Sequence, residues 1–121
     1  MQVSDVESLR SALIMTGFAY NFRDRLRHAM SQFEAFLVES QAVRRGGSAA
    51  LDMCYTALGR VDGFWEMDLQ PWDTAAGVVI LEEAGGRVTD FSGGEFSIYG
   101  NQMIASNGRL HEEMMRVLAN I

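Results

Sequence analysis

A single α/β domain, a mixed sheet with helices on both faces, is the fold class that this sequence predicts. Three observations predict it. Short apolar runs bounded by glycine alternate with stretches of helical period in the order β-α-β-α-β-α-β-β-α. The chain has 121 residues, enough for one core and too few for two ordinary domains. Hydrophobic residues make up 48 % and charged residues 21 %, which is the composition of a globular chain and excludes a disordered one.

Residues 1–10 are polar and weakly patterned, and read as an irregular lead-in. The run SALIMTG (11–17) is continuously apolar and ends on glycine, as a strand buried on both faces would. Residues 18–21 read as a loop. From residue 22 to 39, Phe22, Leu26, Ala29, Met30, Phe33, Phe36 and Leu37 recur at spacings of three and four, which predicts an amphipathic helix with those residues inward. His28, Arg23, Arg25 and Arg27 fall on its solvated side. QAVRR (41–45) reads as a short strand stopped by Gly46 and Gly47. Ser48 is a good N-cap for a helix over 49–58, with Leu51, Cys54, Tyr55 and Leu58 on its inner face. Residues 61–67 form a strand rich in aromatic side chains and carrying Glu66. RVTDF (87–91) and QMIAS (102–106) are further strands, separated by the Ser92-Gly93-Gly94 turn. After the Asn107-Gly108 turn, a closing helix over 110–121 turns Leu110, Met114, Val117 and Leu118 inward.

The chain is organised around residues 63–86, GFWEMDLQPWDTAAGVVILEEAGG. After the strand bearing Glu66, Pro71 and Asp73 mark the start of an amphipathic helix over about 73–84. Proline is tolerated there because its missing N–H has no intrahelical partner, and a carboxylate there caps orphan donors. Gly85 and Gly86 supply the left-handed conformation that ends such a helix. Its many small residues predict close packing on the sheet. The stretch puts Glu66 and Asp73 near one end of a packed strand–helix unit. Two readings stay open on the residues alone: converging carboxylates suit a divalent cation or a polar substrate's hydroxyls, while an Asp at such a position is most often a plain cap.

The formal charge of −6 argues against nucleic acid as a partner, because phosphate backbones need basic surface. One cysteine, Cys54, excludes an internal disulfide framework and reads as a buried small hydrophobe. No run is long enough to span a bilayer and MQVSDVESLR lacks the features of a signal peptide, so a cytoplasmic protein without a membrane partner is expected. Gly46-Gly47-Ser48-Ala49 precedes a helix, where backbone N–H groups can hold substrate oxygens, but the lysine and spacing of a P-loop are missing. Two histidines and one cysteine cannot build a Cys/His zinc site, so any metal must be held by carboxylates, which favours magnesium or manganese. No Ser-His-Asp pattern stands out.

The run WDTAAG (72–77), its hydrophobic continuation and EAGG (83–86) resemble the C-terminal signature of the inositol monophosphatase family. TGFAY (16–20), with Ala19 where proline is usual, RRGGSAALD (44–52) and ALGRVDGFWE (57–66) also resemble family sequence, in family order. By that resemblance Asp73 is a metal-binding aspartate, Glu66 hydrogen-bonds substrate hydroxyls, and Gly47, Ser48 and Ala49 contact the sugar-like ring. The family hydrolyses phosphate monoesters with magnesium, many members are inhibited by lithium, and members are commonly homodimers. The implied substrate is a small phosphate monoester of a polyol, first of all inositol 1-phosphate; fructose 1,6-bisphosphate and adenosine bisphosphates are the alternatives within the superfamily.

The family's N-terminal half carries a glutamate and an Asp-Pro-(Ile/Leu)-Asp-Gly-Thr motif that supply most metal ligands, and no such motif occurs here. The resemblance therefore implies that residues 1–121 correspond to the C-terminal half of the enzyme, without the water-activating residues and with little activity alone. A non-catalytic module that docks on a partner is the alternative from another class. Loss of a neighbouring domain should leave apolar surface exposed and promote self-association.

Overall fold

The computed structural model describes residues 1–18 and 22–121. The loop expected at 18–21, and Ala19 in proline's place, fall largely outside them. Strands β1 (Leu13–Thr16), β2 (Ala42–Arg45), β3 (Gly63–Met67), β4 (Arg87–Thr89) and β5 (Gln102–Ser106) build one five-stranded sheet in the order β2-β1-β3-β5-β4. β2, β1 and β3 run parallel, while β5 is antiparallel to β3 and to β4. Parallel neighbours need crossovers, and helices α1 (Leu26–Glu39) and α2 (Ala49–Ala57) supply them; α3 (Pro71–Glu83) and α4 (His111–Ala119) complete the element order. The mixed sheet with helices on both faces is thus the fold observed.

Each face of the sheet has its own core. On one, Phe36 of α1 stacks on Trp65 of β3 with ring centroids 4.1 Å apart, amid Ile14, Ile104 and the α4 residues Met114 and Val117. The Trp65 indole N–H donates to Gln32 Oε1 at 3.1 Å, so its one polar atom is satisfied in a buried site. On the other face, Met15, Phe64, Met103 and Ala105 meet Met53 and Ala57 of α2 and Leu81 of α3. The alternation of Ile14 and Met15 between the two cores shows β1 buried on both sides, as its continuous apolar run predicts. Leu110, Met114, Val117 and Leu118 are all buried, also as expected.

The irregular lead-in is nonetheless anchored. Ser4 donates to Asp62 Oδ1 at 2.6 Å, Asn107 Nδ2 donates to Val6 O at 2.8 Å, and the Val3 N–H reaches Ala84 O at 3.2 Å. Asn107 also accepts the N–H groups of Arg109 and Leu110, so the expected turn leads straight into α4.

Several expectations about the helices need correction. α1 is preceded by a 3-10 turn over Phe22–Arg25, so the α-helix starts later than the apolar period suggests. α1 buries Ala29, Gln32 and Phe36, whereas Leu26, Met30 and Leu37 face out. α2 is inverted: Asp52, Met53, Thr56 and Ala57 are buried, while Leu51, Tyr55 and Leu58 are exposed and Cys54 is half-buried. α3 begins at Pro71 and is not amphipathic, since its outer side carries Trp72, Ala75, Ala76 and Val79. Its closest glycine approach is to α2, where a Cβ on Gly77 would sit 2.7 Å from Met53 Sδ, while Leu81 packs in the core with the sheet. The common reason is that these helices carry apolar residues on two sides, and periodicity marks a stripe without saying which stripe meets the core.

α1 and the α2–α3 pair each carry exposed apolar residues, among them Leu26, Met30 and Leu37 on α1 and Leu51, Tyr55, Trp72 and Val79 on the pair. Light scattering is expected to report species heavier than the monomer, growing with concentration. One monomeric species at every concentration would show that these surfaces do not self-associate.

Candidate functional site

The connections define where a site can form. β1 leads through α1 to β2 on one side, and β2 leads through α2 to β3 on the other, so the strand order reverses at β1. In open α/β sheets, ligands bind in the crevice beyond the carboxyl ends of the strands at such a reversal. The residues there are Gly17 after β1, Gly46 after β2, and Glu66 near the end of β3; Thr16 pairs with both Arg45 and Trp65 in register.

A cleft of about 540 Å³ opens at this point, lined among others by Arg45, Gly47, Ser48, Ala49, Glu66 and Asp73. All five residues singled out from sequence thus share one cleft. Gly47 has φ +88°, which a side chain would strain, and it turns the chain from β2 into α2. Ser48 caps α2 by accepting the Leu51 N–H at 3.3 Å. The preceding first-turn N–H groups, those of Ala49 and Ala50, have no partner within an α-helix, and both residues line the cleft. Asp73 is at the third helical position of α3, not at or next to the N-cap as the sequence suggests; its Oδ2 accepts the Gln70 N–H at 3.0 Å. Capping and cleft lining are therefore both true of Asp73.

Glu66 is only 7 % exposed. Burial pushes its carboxyl up to about 8, the negative charges of Asp52 and Asp73 push the same way, and Arg45 opposes them. A carboxyl in that state is protonated at neutral pH, so it can donate one hydrogen bond as well as accept. The room for it comes from Gly17, where a Cβ would collide with the Glu66 carboxylate.

Sequence reasoning missed four contributors. Asp52 is 1 % exposed, and burial pushes its carboxyl up to about 6 against the pull of Arg45. Its Oδ1 lies where a Cβ on Gly46 would be, and its Oδ2 is buried without a hydrogen-bond partner among the described residues. Arg45, read only as part of a strand, lines the cleft and lies over the Phe18 ring at 5.6 Å. Arg23, read as solvated, lines the cleft as well, and Arg25 pairs with Asp68 at 2.9 Å. The doubled arginines and glycines of RRGGS were the available signal, but only strand pairing shows where they point.

The donor set does not fit a divalent ion on its own. Among the described residues, no three His, Cys, Asp or Glu side chains are grouped to hold one. A hard cation takes about six oxygens, and Asp73 offers one carboxylate that is already accepting a hydrogen bond. Likewise no helix is long and apolar enough to cross a membrane among the described residues.

Fold and cleft together define an α/β domain with a crevice at the topological switch point of its sheet, lined by Glu66, Asp68 and Asp73 among others. Its sequence matches the model of the inositol monophosphatase family over residues 1–121. The chain belongs to that family. It is 44 % identical over 119 residues to the chloroplastic phosphatase IMPL1 of Arabidopsis thaliana, covering 98 % of this chain and 32 % of that protein. It is 41 % identical over 119 residues to the inositol-1-monophosphatase of Synechocystis, covering 98 % of this chain and 42 % of that protein. The inositol monophosphatase structure from Anabaena (Nostoc) superposes with a TM-score of 0.96 at 42 % identity, over all of this chain and 48 % of that one. The chain therefore spans less than half the length of these relatives.

Proposed function

We propose that this chain is the C-terminal substrate- and metal-binding portion of a magnesium-dependent phosphate monoester hydrolase, with inositol 1-phosphate as its first substrate. The observation that carries this reading is the convergence of Gly47, Ser48, Ala49, Glu66 and Asp73 on one cleft at the switch point. Glu66 orients the polyol by hydrogen-bonding its ring hydroxyls. The Gly47–Ser48–Ala49 turn offers backbone N–H groups to the same ring, and Arg45 offsets the charge of the ester. Asp73 would supply one oxygen to a magnesium ion whose other ligands would have to come from outside this chain. Magnesium in such a site neutralises phosphate charge and lowers the pKa of bound water.

Two measurements test this. The purified chain with magnesium is expected to release no phosphate from inositol 1-phosphate, and turnover would refute its dependence on a second half. A hybrid that places this chain after the N-terminal half of the Anabaena relative is expected to hydrolyse that ester. Asp73→Asn in the hybrid should cost at least the roughly 10- to 100-fold that even outer-shell changes cost a metal site. Fructose 1,6-bisphosphate and adenosine 3′,5′-bisphosphate in the same assay distinguish the alternative substrates. A folded hybrid inert towards all three esters would favour the non-catalytic docking module.

A further inference from the structure

Six residues separate Glu66 on β3 from Asp73 on α3, and the chain must reverse between them. The reversal depends on Asp68, whose φ of +60° makes it the single non-glycine residue with positive φ among those described. L-residues seldom adopt this conformation, and one that persists is held by its surroundings. Two segments hold Asp68, and a third contact follows it in the chain. Its N–H donates to Asn101 O at 2.9 Å, just before β5. Its carboxylate, with 19 % of the side chain exposed, accepts from Arg25 Nη1 at 2.9 Å at the start of α1. Two residues on, the Gln70 N–H closes on Asp73 Oδ2 at 3.0 Å. Asp68 also lines the cleft and the small cavity of about 20 Å³ behind Glu66, so it stands in the wall between them.

We infer that Asp68, through its left-handed turn and its bridge to Arg25, is a positioning residue that sets Asp73 against Glu66. The functional meaning rests on reading Glu66 and Asp73 as the working pair, but the geometry does not depend on any ligand. Removing the bridge frees the β3–α3 connection from α1, while forbidding the left-handed turn redirects the connection itself. The first device is a weak, partly exposed ion pair; the second is a backbone constraint.

The test is amide exchange in the full chain, with the Gln70 amide reporting the Asp73 cap and the Ile104 amide reporting the core. Asp68→Ala loses the bridge and penalises positive φ; it should speed exchange at Gln70 by roughly tenfold or more while leaving Ile104 unchanged. Asp68→Gly accepts positive φ and should recover most of that protection, leaving about the threefold effect expected of Arg25→Gln. Equal acceleration at Gln70 and Ile104 would mean general destabilisation and would overturn the inference, as would wild-type exchange at Gln70 in Asp68→Ala. If Asp68→Ala does not fold, Asp68→Gly and Arg25→Gln carry the test: a shared change confined to Gln70 supports the bridge, and none overturns it. Failure of the hybrid to hydrolyse esters leaves these outcomes untouched, so the two readings can fail separately.

Discussion

Glu66→Gln is expected to make the chain more stable, and increasingly so as the pH rises. In the folded wild type the buried carboxyl is held up to about 8 from an ordinary 4.5, first by burial and then by the Asp52 and Asp73 charges. Above pH 4.5 the unfolded chain has lost that proton and the folded chain keeps it, so folding takes up a proton and stability falls with rising pH. The loss accumulates between about 4.5 and 8 and then levels off. Each tenfold difference in proton affinity between the two states is worth about 1.36 kcal/mol, so the loss amounts to about 3–5 kcal/mol, a large share of a domain's stability. Glutamine has nearly the same shape, donates and accepts as a protonated acid does, and does not titrate. Urea unfolding of variant and wild type at pH 5 and pH 9 measures the difference. A stability gain that is the same at both pH values would sink the idea. Asp52, pushed up to about 6, lends a slope of the same sign that remains in the variant.

That cost fits the proposed site. Two carboxyls lie under loops whose glycines, Gly17 and Gly46, leave them room, and one buried Asp52 oxygen lacks a partner among the described residues. Replacing such groups by neutral ones of similar shape is the ordinary route to a more stable core. Of the two carboxyls, Glu66 lines the cleft, and Asp52 lies buried beneath Gly46.

Much of this was legible in the sequence because strand and helix signals here are local. Glycine-bounded apolar runs place β1 and β5, Ser48 caps α2, and Gly85 ends α3 with φ +93°. Pro71 and Asp73 mark the start of α3 to within two residues, the error arising because proline stands inside the first turn. Glu66, Asp73 and the 47–49 turn were legible because they lie in short contiguous motifs. Asp52, Arg45 and Asp68 were not, since their roles follow from which strand ends lie side by side. The buried faces of α1 and α2 were misread for a related reason. Leu51, Tyr55 and Leu58 look like core, and on this chain they form surface.

The second large effect concerns His111, to which no local sequence pattern draws notice. It is fully buried between Thr89 of β4 and Ser106 of β5, with Nε2 2.7 Å from Thr89 Oγ1 and Nδ1 2.7 Å from Ser106 Oγ. The Thr89 hydroxyl donates to Asp90 O, so it accepts from Nε2–H. The Ser106 hydroxyl accepts the Gly108 N–H and donates to Nδ1. The neutral Nε2–H tautomer lets both hydroxyls donate and accept in this network. Burial pulls the imidazole down to about 4 from 6.5, Arg87 adds to this and Glu112 opposes it. Above pH 6.5 both states are neutral and the clamp contributes fully; below it the unfolded chain takes up a proton that the folded chain refuses, so stability is lost as pH falls towards 4. That loss is about 3 kcal/mol. His111→Ala should cost a similar amount at pH 7, from the cavity and the two hydroxyls left without a ring partner. Alanine does not titrate, so its deficit should shrink nearly to nothing at pH 4 as the wild type weakens. Unfolding free energies of the two proteins at pH 7 and pH 4 measure this, and a deficit of equal size at both would show that the histidine is held by packing alone.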